Sequence, residues 1–583
     1  MTSKKYADNT SERAIISDII GKTIESEKYQ ITMDEFWFSI VPDKIIGPFD
    51  FISVENICNT ITIGIVKELR TIRSADVTIS NQYSRQNYSL RDNPNNTENY
   101  VDQGIRIARV AVMTNAHINN IHSDSKSTNG MNIRMPVDID KAVRFANEKE
   151  ILIALGIPKM EDPVMAGIIE MTNGQQVAIP IAMSYLAGPD TAHINATGIS
   201  GNLKTSYLMF LLHSMYQKLV KNKEVAIIIF NTREDDLLYI HEREGNITER
   251  DNKLYKNLQV SPYPFDNVTY FLPRGKDGKP VSVHVPSNFR TYSFELRDIY
   301  DRLDLLLSSE SYDPRYNLYA IIDYIYESWP LKDKSDNVVN NWSDLLTYVD
   351  YPPEIVGHKS MYLHFLGYFQ KFKRSSLFTD KRETSIYIGN EIKKIKGGDV
   401  YVIDIAMIPT LEEQSLVIGD VMKNIDELYS SRYSFGEHYL NQDSENGIEI
   451  NTESKQSKPK YILIFIDEIN RFLPHTYSLG HRSTVAEQII KTIIAGKSRN
   501  TILFSAQQFK SAVDPVLHEN TGIHMIAKLG LSELSTSSYS MLDDVTKGNI
   551  AQMDKGEIVM IQPAIRHPVK VVFPRPPFKR LSR

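Results

Sequence analysis

The sequence predicts an α/β fold of buried strands and helices preceded by a small β-barrel, and three observations carry that expectation. First, residues 225–230, 400–403, 461–466 and 501–504 are short, charge-free and rich in β-branched residues, as strands buried on both faces should be. Second, helical periodicity sets in between such strands: Leu208, Leu211, Leu212, Met215 and Leu219 recur at helix spacing. Third, residues 13–165 carry β-like stretches at 47–54, 60–66 and 104–113, whose glycines and alternation suit a small barrel.

The chain therefore divides into an N-terminal β domain over 1–165 and an α/β domain over 166–583. Residues 285–385 turn to helical periodicity with many aromatics and predict a helical insertion between the first core strands and the later ones. Two polar stretches, 81–99 and 435–459, read as loops. At 583 residues, two to four domains are expected.

Composition narrows the function classes. Hydrophobic residues at 42% and charged residues at 24% are those of a soluble globular protein. A net charge of −6 argues against one broad basic face, while a ring that shows a few cations to a central pore stays compatible with it. The single cysteine, Cys58, excludes an internal disulfide framework and a clustered cysteine metal site. Residues 1–6 lack the apolar stretch of a signal peptide and no run approaches eighteen apolar residues, so a cytoplasmic protein with no membrane segment is expected.

The most informative segment is Thr197-Gly198-Ile199-Ser200-Gly201-Asn202-Leu203-Lys204-Thr205-Ser206, between the strand-like residues 192–196 and the periodic helix. Strand, loop and helix are the context a phosphate-binding loop needs. Its glycines let backbone N–H groups turn toward phosphate, and the helix N-terminus adds a favourable dipole. Gly198, Ser200, Gly201, Asn202, Leu203, Lys204, Thr205 and Ser206 are the candidate nucleotide ligands. Lys204 reaches the β- and γ-phosphates, and Thr205 holds Mg²⁺. Leu203 stands where a glycine ordinarily precedes the lysine.

The apolar run 461–466 delivers Asp467 and Glu468 at its C-terminal end, where α/β sheets bind ligands. Asp467 helps hold the metal, and Glu468 polarises the attacking water as general base. Residues 501–508 end another strand in Gln507 and Gln508. An amide there senses the γ-phosphate; Gln507 is preferred and Gln508 is its rival.

Taken together, residues 197–206, the strand ending Asp467-Glu468, Ala495-Gly496-Lys497-Ser498-Arg499-Asn500 leading into Ser505-Ala506-Gln507, and residues 513–517 resemble the HerA branch of the FtsK/HerA superfamily of hexameric DNA-pumping ATPases. Residues 398–405 resemble that family's strand before the Asp-Glu strand, and 556–559 with 568–571 its closing hairpin. Ile20-Gly21-Lys22-Thr23 and the later barrel strands resemble its HAS-barrel. The resemblance implies a RecA-like P-loop core that uses ATP and Mg²⁺, a homohexamer with ATP between neighbours, and translocation along or unwinding of double-stranded DNA. It also implies a separate effector docked on the barrel: a NurA-like nuclease, another nuclease, or a sirtuin-like NADase, in DNA end processing or antiphage defence.

The same resemblance implies a cation donated to the neighbouring subunit's nucleotide. The family's Gly-Arg pair aligns with Gly496-Lys497. Lysine lacks the planar fork that binds phosphate oxygens bidentately, so Arg499 takes the role, with Lys497 and Arg566 as the other candidates. Asn231 replaces an aspartate common after the family's second strand, and residues 473–483, with His475, His481 and Arg482, are a candidate pore loop. Two other readings compete: a nucleotide-binding ring scaffold that assembles and activates an effector with little translocation, and a phosphate-loop signalling switch that binds no DNA.

Overall fold

The computed structural model describes residues 19–73, 104–118, 135–157, 160–188, 192–199, 201, 204–233, 237–245, 247–307, 318–434, 458–476 and 481–579. The polar stretches 81–99 and 435–457 lie outside the described residues. The chain forms two units, one of Met1–Ala182 with Met525–Phe573 and one of Met183–His524 with Pro574–Arg583.

The expected barrel is present. Strands β1 (Ile19–Ile24), β2 (Glu35–Ile40), β3 (Phe51–Asn56), β4 (Thr60–Arg73), β5 (Gly104–His117) and β6 (Ala142–Phe145) close in the order β1-β2-β5-β4-β3-β6. All six pairings are antiparallel. Alternate side chains, among them Phe36, Phe38, Ile52, Val54, Val110 and Val143, fill the interior, which is how a small barrel packs without a channel. Gly21 permits the closure: a Cβ there would stand 2.0 Å from the Ser39 carbonyl oxygen.

The first unit runs past residue 165, to Ala182. Strands β7 (Pro163–Glu170) and β8 (Gln176–Ala182) form a hairpin that stays with the barrel. Far along the chain, β17 (Glu557–Ile561) and β18 (Val569–Val572) make the expected closing hairpin. Val572 pairs with Ile168 of β7, and Gly167 lets the two backbones meet, since a Cβ there would lie 3.1 Å from the Val572 carbonyl oxygen. The closing hairpin thus belongs to the first unit rather than to the α/β domain. No local sequence pattern announces a pairing across some 400 residues; β16 (Ile523–Ile526) is a short strand preceding the hairpin in the chain.

The second unit is the α/β core. Strands β9 (Ile194–Thr197), β10 (Val225–Asn231), β11 (Val268–Pro273), β12 (Phe289–Tyr292), β13 (Val400–Asp404), β14 (Tyr461–Ile466) and β15 (Thr501–Gln507) lie in the order β12-β11-β13-β10-β14-β15-β9. Every pairing is parallel. Helices must return the chain between parallel strands and cover both faces, and all seven residues of β10 and of β15 are buried. Helices Leu296–Ile299, Leu318–Glu327, Trp342–Thr347 and Lys359–Gln370 fall within residues 285–385. Their buried faces, with Phe294, Ile321, Ile325, Leu345, Phe365 and Phe369, join the same apolar core as Ile228, Ile403, Ile464 and Leu503 of the sheet. The sequence reading missed β12, the edge strand, and β11 beside it, both of which mix polar and aromatic residues into the run.

Candidate phosphate-binding and carboxylate site

The site forms where β9, β10, β14 and β15 reach their carboxyl ends. After β9 the chain turns at Gly198 (φ +155°) and Gly201 (φ +81°), a backbone region that side chains rarely adopt. It then enters the helix Lys204–Leu219, whose buried side chains include Leu208, Leu211, Leu212, Met215 and Leu219. Ser200, Asn202 and Leu203 lie outside the described residues. Gly198 N–H donates to the Gln508 carbonyl at 3.3 Å, tying the loop to the end of β15.

Lys204 is buried at the head of this helix, and its ammonium donates to the Ile199 carbonyl at 3.4 Å. Burial pushes its pKa below the ordinary lysine value; Asp467 opposes that shift and Arg233 adds to it. Thr205 hydroxyl donates to the Asp467 carboxylate at 2.7 Å. A hydroxyl and a carboxylate brought together in this way fit Mg²⁺, which takes one or two protein oxygens and leaves its other positions to phosphate and water. Among the described residues no cluster of three or more His, Cys, Asp or Glu offers an alternative metal cage.

Asp467 and Glu468 follow β14 directly. Glu468 takes a left-handed backbone (φ +53°), which sets its carboxylate apart from that of Asp467. Two groups converge on Glu468: the Arg233 guanidinium in an ion pair, and the Gln508 amide, which donates at 3.4 Å. Arg233 arrives because β10 and β14 are paired in register, Phe230 opposite Ile466, so that residues just beyond both strands meet. Thr232 hydroxyl also reaches the Asp467 carbonyl at 3.3 Å. Arg471, one short turn after Glu468, donates to Gln414 at 2.7 Å. Burial lowers the Arg471 pKa, with Arg233 contributing. Lys204 and Arg233 thus bring two cations to the two carboxylates.

The two amides at the end of β15 behave differently. Gln507 is fully buried and exchanges two hydrogen bonds of 2.8 Å with Asn195 of β9. Gln508 is the amide that touches the glutamate. Alternation along a strand sends neighbouring side chains to opposite faces, and sequence alone left the choice of face open.

Asn231 has a physical reason to be an amide. Its Nδ2 donates at 2.9 Å to Asp404, whose carboxylate also accepts from Ser282 at 2.5 Å. Burial raises the Asp404 pKa despite these bonds. A second carboxylate at position 231 would face the first in a dry setting, a repulsive pair.

The proposed trans cations are scattered. Arg499 pairs with Asp426 of the same chain at 2.7 Å, and Arg566 lies in the first unit, paired with Asp34. The Lys497 side chain lies outside the described residues. Gly496 serves packing, since a Cβ there would stand 2.4 Å from the Thr501 carbonyl oxygen and 2.7 Å from the His193 ring. Of the candidate pore stretch, residues 477–480 lie outside the described residues, His475 is exposed and Arg482 pairs with Asp514 at 3.0 Å.

Sequence reasoning missed Arg233, Arg471, Asn195 and His193. For Arg233 a signal existed: it stands two residues past a fully buried strand, at the edge of the sheet that collects ligands. His193, buried beside β15, accepts from Leu503 N–H at 3.0 Å through Nδ1 and reaches the Ile493 carbonyl at 2.8 Å through Nε2. Burial pushes its pKa down to about 4.

No protein-family model matches the chain, and no curated protein does. Solved structures do resemble it. VirB4 of Thermoanaerobacter pseudethanolicus is 12% identical, covering 71% of this chain and 97% of that one, with a TM-score of 0.41. The plasmid coupling protein TrwB in complex with ADP and Mg²⁺ is 10% identical, covering 67% and 87%, with a TM-score of 0.39. The genome packaging NTPase B204 of Sulfolobus turreted icosahedral virus 2 is 8% identical, covering 32% and 72%, with a TM-score of 0.21.

Proposed function

We propose that this chain is an ATP-hydrolysing motor of the FtsK/HerA type that moves along double-stranded DNA as a ring of six subunits. The observation that carries the reading is the 2.7 Å hydrogen bond between Thr205 and Asp467, with Lys204 and Glu468 on either side. It joins the head of the phosphate-loop helix to the end of β14, so that both halves of a nucleotide site occupy one place. Lys204 neutralises the β- and γ-phosphates, and Thr205 with Asp467 holds Mg²⁺. When bound, Mg²⁺ withdraws charge from the phosphoryl oxygens. Glu468 orients and deprotonates the attacking water, and Gln508, in contact with Glu468, reports the state of the γ-phosphate to β15.

In the hexamer a cation from the neighbour completes each site, and loss of such a cation costs roughly 10³–10⁵ in rate in related chemistry. Arg499 fills this role by exchanging Asp426 for phosphate. Closure of successive interfaces moves pore loops along the phosphate backbone, independent of base sequence. The barrel docks an effector protein, a nuclease or a sirtuin-like NADase, and the product of the motor is DNA end processing or antiphage defence, in the cytoplasm.

A second reading, a ring scaffold with slow turnover, draws on the Arg233–Glu468 ion pair, which occupies the general base. Steady-state ATP hydrolysis with and without linear duplex DNA, with mass photometry on each sample, separates the two. DNA-stimulated turnover by a hexamer supports the motor. Hexamers that bind ATP yet hydrolyse negligibly in both conditions leave the scaffold.

A further inference from the structure

We infer that Arg233 is a γ-phosphate ligand acting within its own subunit, held in reserve by Glu468 until a triphosphate arrives. The inference rests on the nucleotide-site reading above and adds to it a device that distinguishes triphosphate from diphosphate. Three observations carry it. Arg233 ion-pairs with Glu468, the group that must stand within one water of the γ-phosphate to act on it. The side chain is 40% exposed, so it is free to exchange partners rather than locked into the core. Its chain neighbour Thr232 donates to the Asp467 carbonyl at 3.3 Å, which keeps residue 233 beside the carboxylate end of β14.

The chemistry follows. A γ-phosphoryl group presents three oxygens in the geometry a guanidinium fork binds. Transfer of Arg233 from carboxylate to phosphate frees Glu468 to receive water. A diphosphate has no γ-oxygens and leaves the pair closed. Register explains why an arginine at this position can do this: Phe230 stands opposite Ile466, so residue 233 emerges beside residue 468 with no backbone rearrangement.

The test is equilibrium binding of ADP and of a non-hydrolysable ATP analogue, both with Mg²⁺, to the full chain and to Arg233→Ala, Glu468→Gln and the double variant. Arg233→Ala should weaken the analogue about 10-fold or more and leave ADP within about 2-fold. Glu468→Gln should tighten the analogue by releasing Arg233, and that gain should vanish in the double variant. Equal weakening of both nucleotides by Arg233→Ala would make the arginine merely structural and overturn the inference. So would a Glu468→Gln gain that persists without Arg233, since simple repulsion between carboxylate and phosphate would then explain it. If the unaltered protein binds neither nucleotide, the nucleotide-site reading itself falls, a result distinct from both.

Discussion

Two arginine–carboxylate clusters of the second unit use the same chemistry for opposite ends. In the insertion, Arg302 pairs with Asp420 at 2.7 Å and with Glu427 at 2.5 Å. Asp420 also accepts from the Tyr387 hydroxyl at 2.8 Å and the Asn424 amide at 3.2 Å. The side chains of Arg302 and Asp420 are 5% and 0% exposed, and burial raises the Asp420 carboxyl to about 6 against the pull of Arg302. At the end of β14, Arg233 and Glu468 form a pair whose arginine is 40% exposed. Arg302 and Asp420 are closed off from solvent, so their pair fixes the helix Leu411–Ser434 against the insertion. The exposed arginine can trade its carboxylate for water or phosphate. Solvent access, not the identity of the pair, is what differs between Arg302–Asp420 and Arg233–Glu468.

The comparison can be broken at its strongest point first. Lys204→Ala or Glu468→Gln should lower ATP turnover by about 10²–10³-fold or more, measured as phosphate release, with the far-UV spectrum unchanged. Arg302→Met should act on stability instead: removing one partner of a buried pair costs about 3–5 kcal/mol, read as a lower urea midpoint. The double change Arg302→Met with Asp420→Leu should recover most of that loss. If the single and double variants are equally unstable, the buried pair is not what ties the helix down.

Acid sharpens the contrast further. An unfolded histidine titrates near pH 6.5, whereas His193 titrates near 4 because it is buried. A depressed pKa means that the unfolded state takes up the proton first. The stability His193 contributes is therefore full above about pH 6.5 and lost as pH falls toward 4. Protonation would also set a ring N–H against Leu503 N–H. In His193→Gln the fall in unfolding free energy between pH 7 and pH 4 should shrink by on the order of 3 kcal/mol. The smallest effect belongs to Arg233→Ala, which should change stability by less than about 1 kcal/mol, as expected of a partly exposed pair. A larger loss in thermal unfolding would move Arg233 into the structural class with Arg302.

Much of this was legible from the chain itself. The charge-free runs 225–230, 400–403, 461–466 and 501–504 became β10, β13, β14 and β15, because a strand buried on both faces has no place for charge. Glycines at 198 and 201 and the apolar spacing after Lys204 marked the loop and its helix, and the carboxylates followed their strand as expected. What sequence could not carry is adjacency. β10 lies between β13 and β14, so Arg233 meets Glu468 across 235 positions, and Asn231 meets Asp404, through strand order that no local pattern encodes. The choice between Gln507 and Gln508 turned on which face of the sheet Asn195 occupies. The placement of the closing hairpin with the barrel turned on one pairing, Val572 with Ile168.

The central claim is that Lys204, Thr205, Asp467 and Glu468 form one working nucleotide site. Single-turnover cleavage of γ-labelled ATP by the purified protein, by Thr205→Ala and by Glu468→Gln tests it most directly. The account predicts labelled phosphate from the unaltered protein in a Mg²⁺-dependent reaction. It predicts no release from Glu468→Gln despite retained ATP binding, and a Thr205→Ala defect that added Mg²⁺ partly relieves. Cleavage that survives Glu468→Gln at the original rate would contradict it.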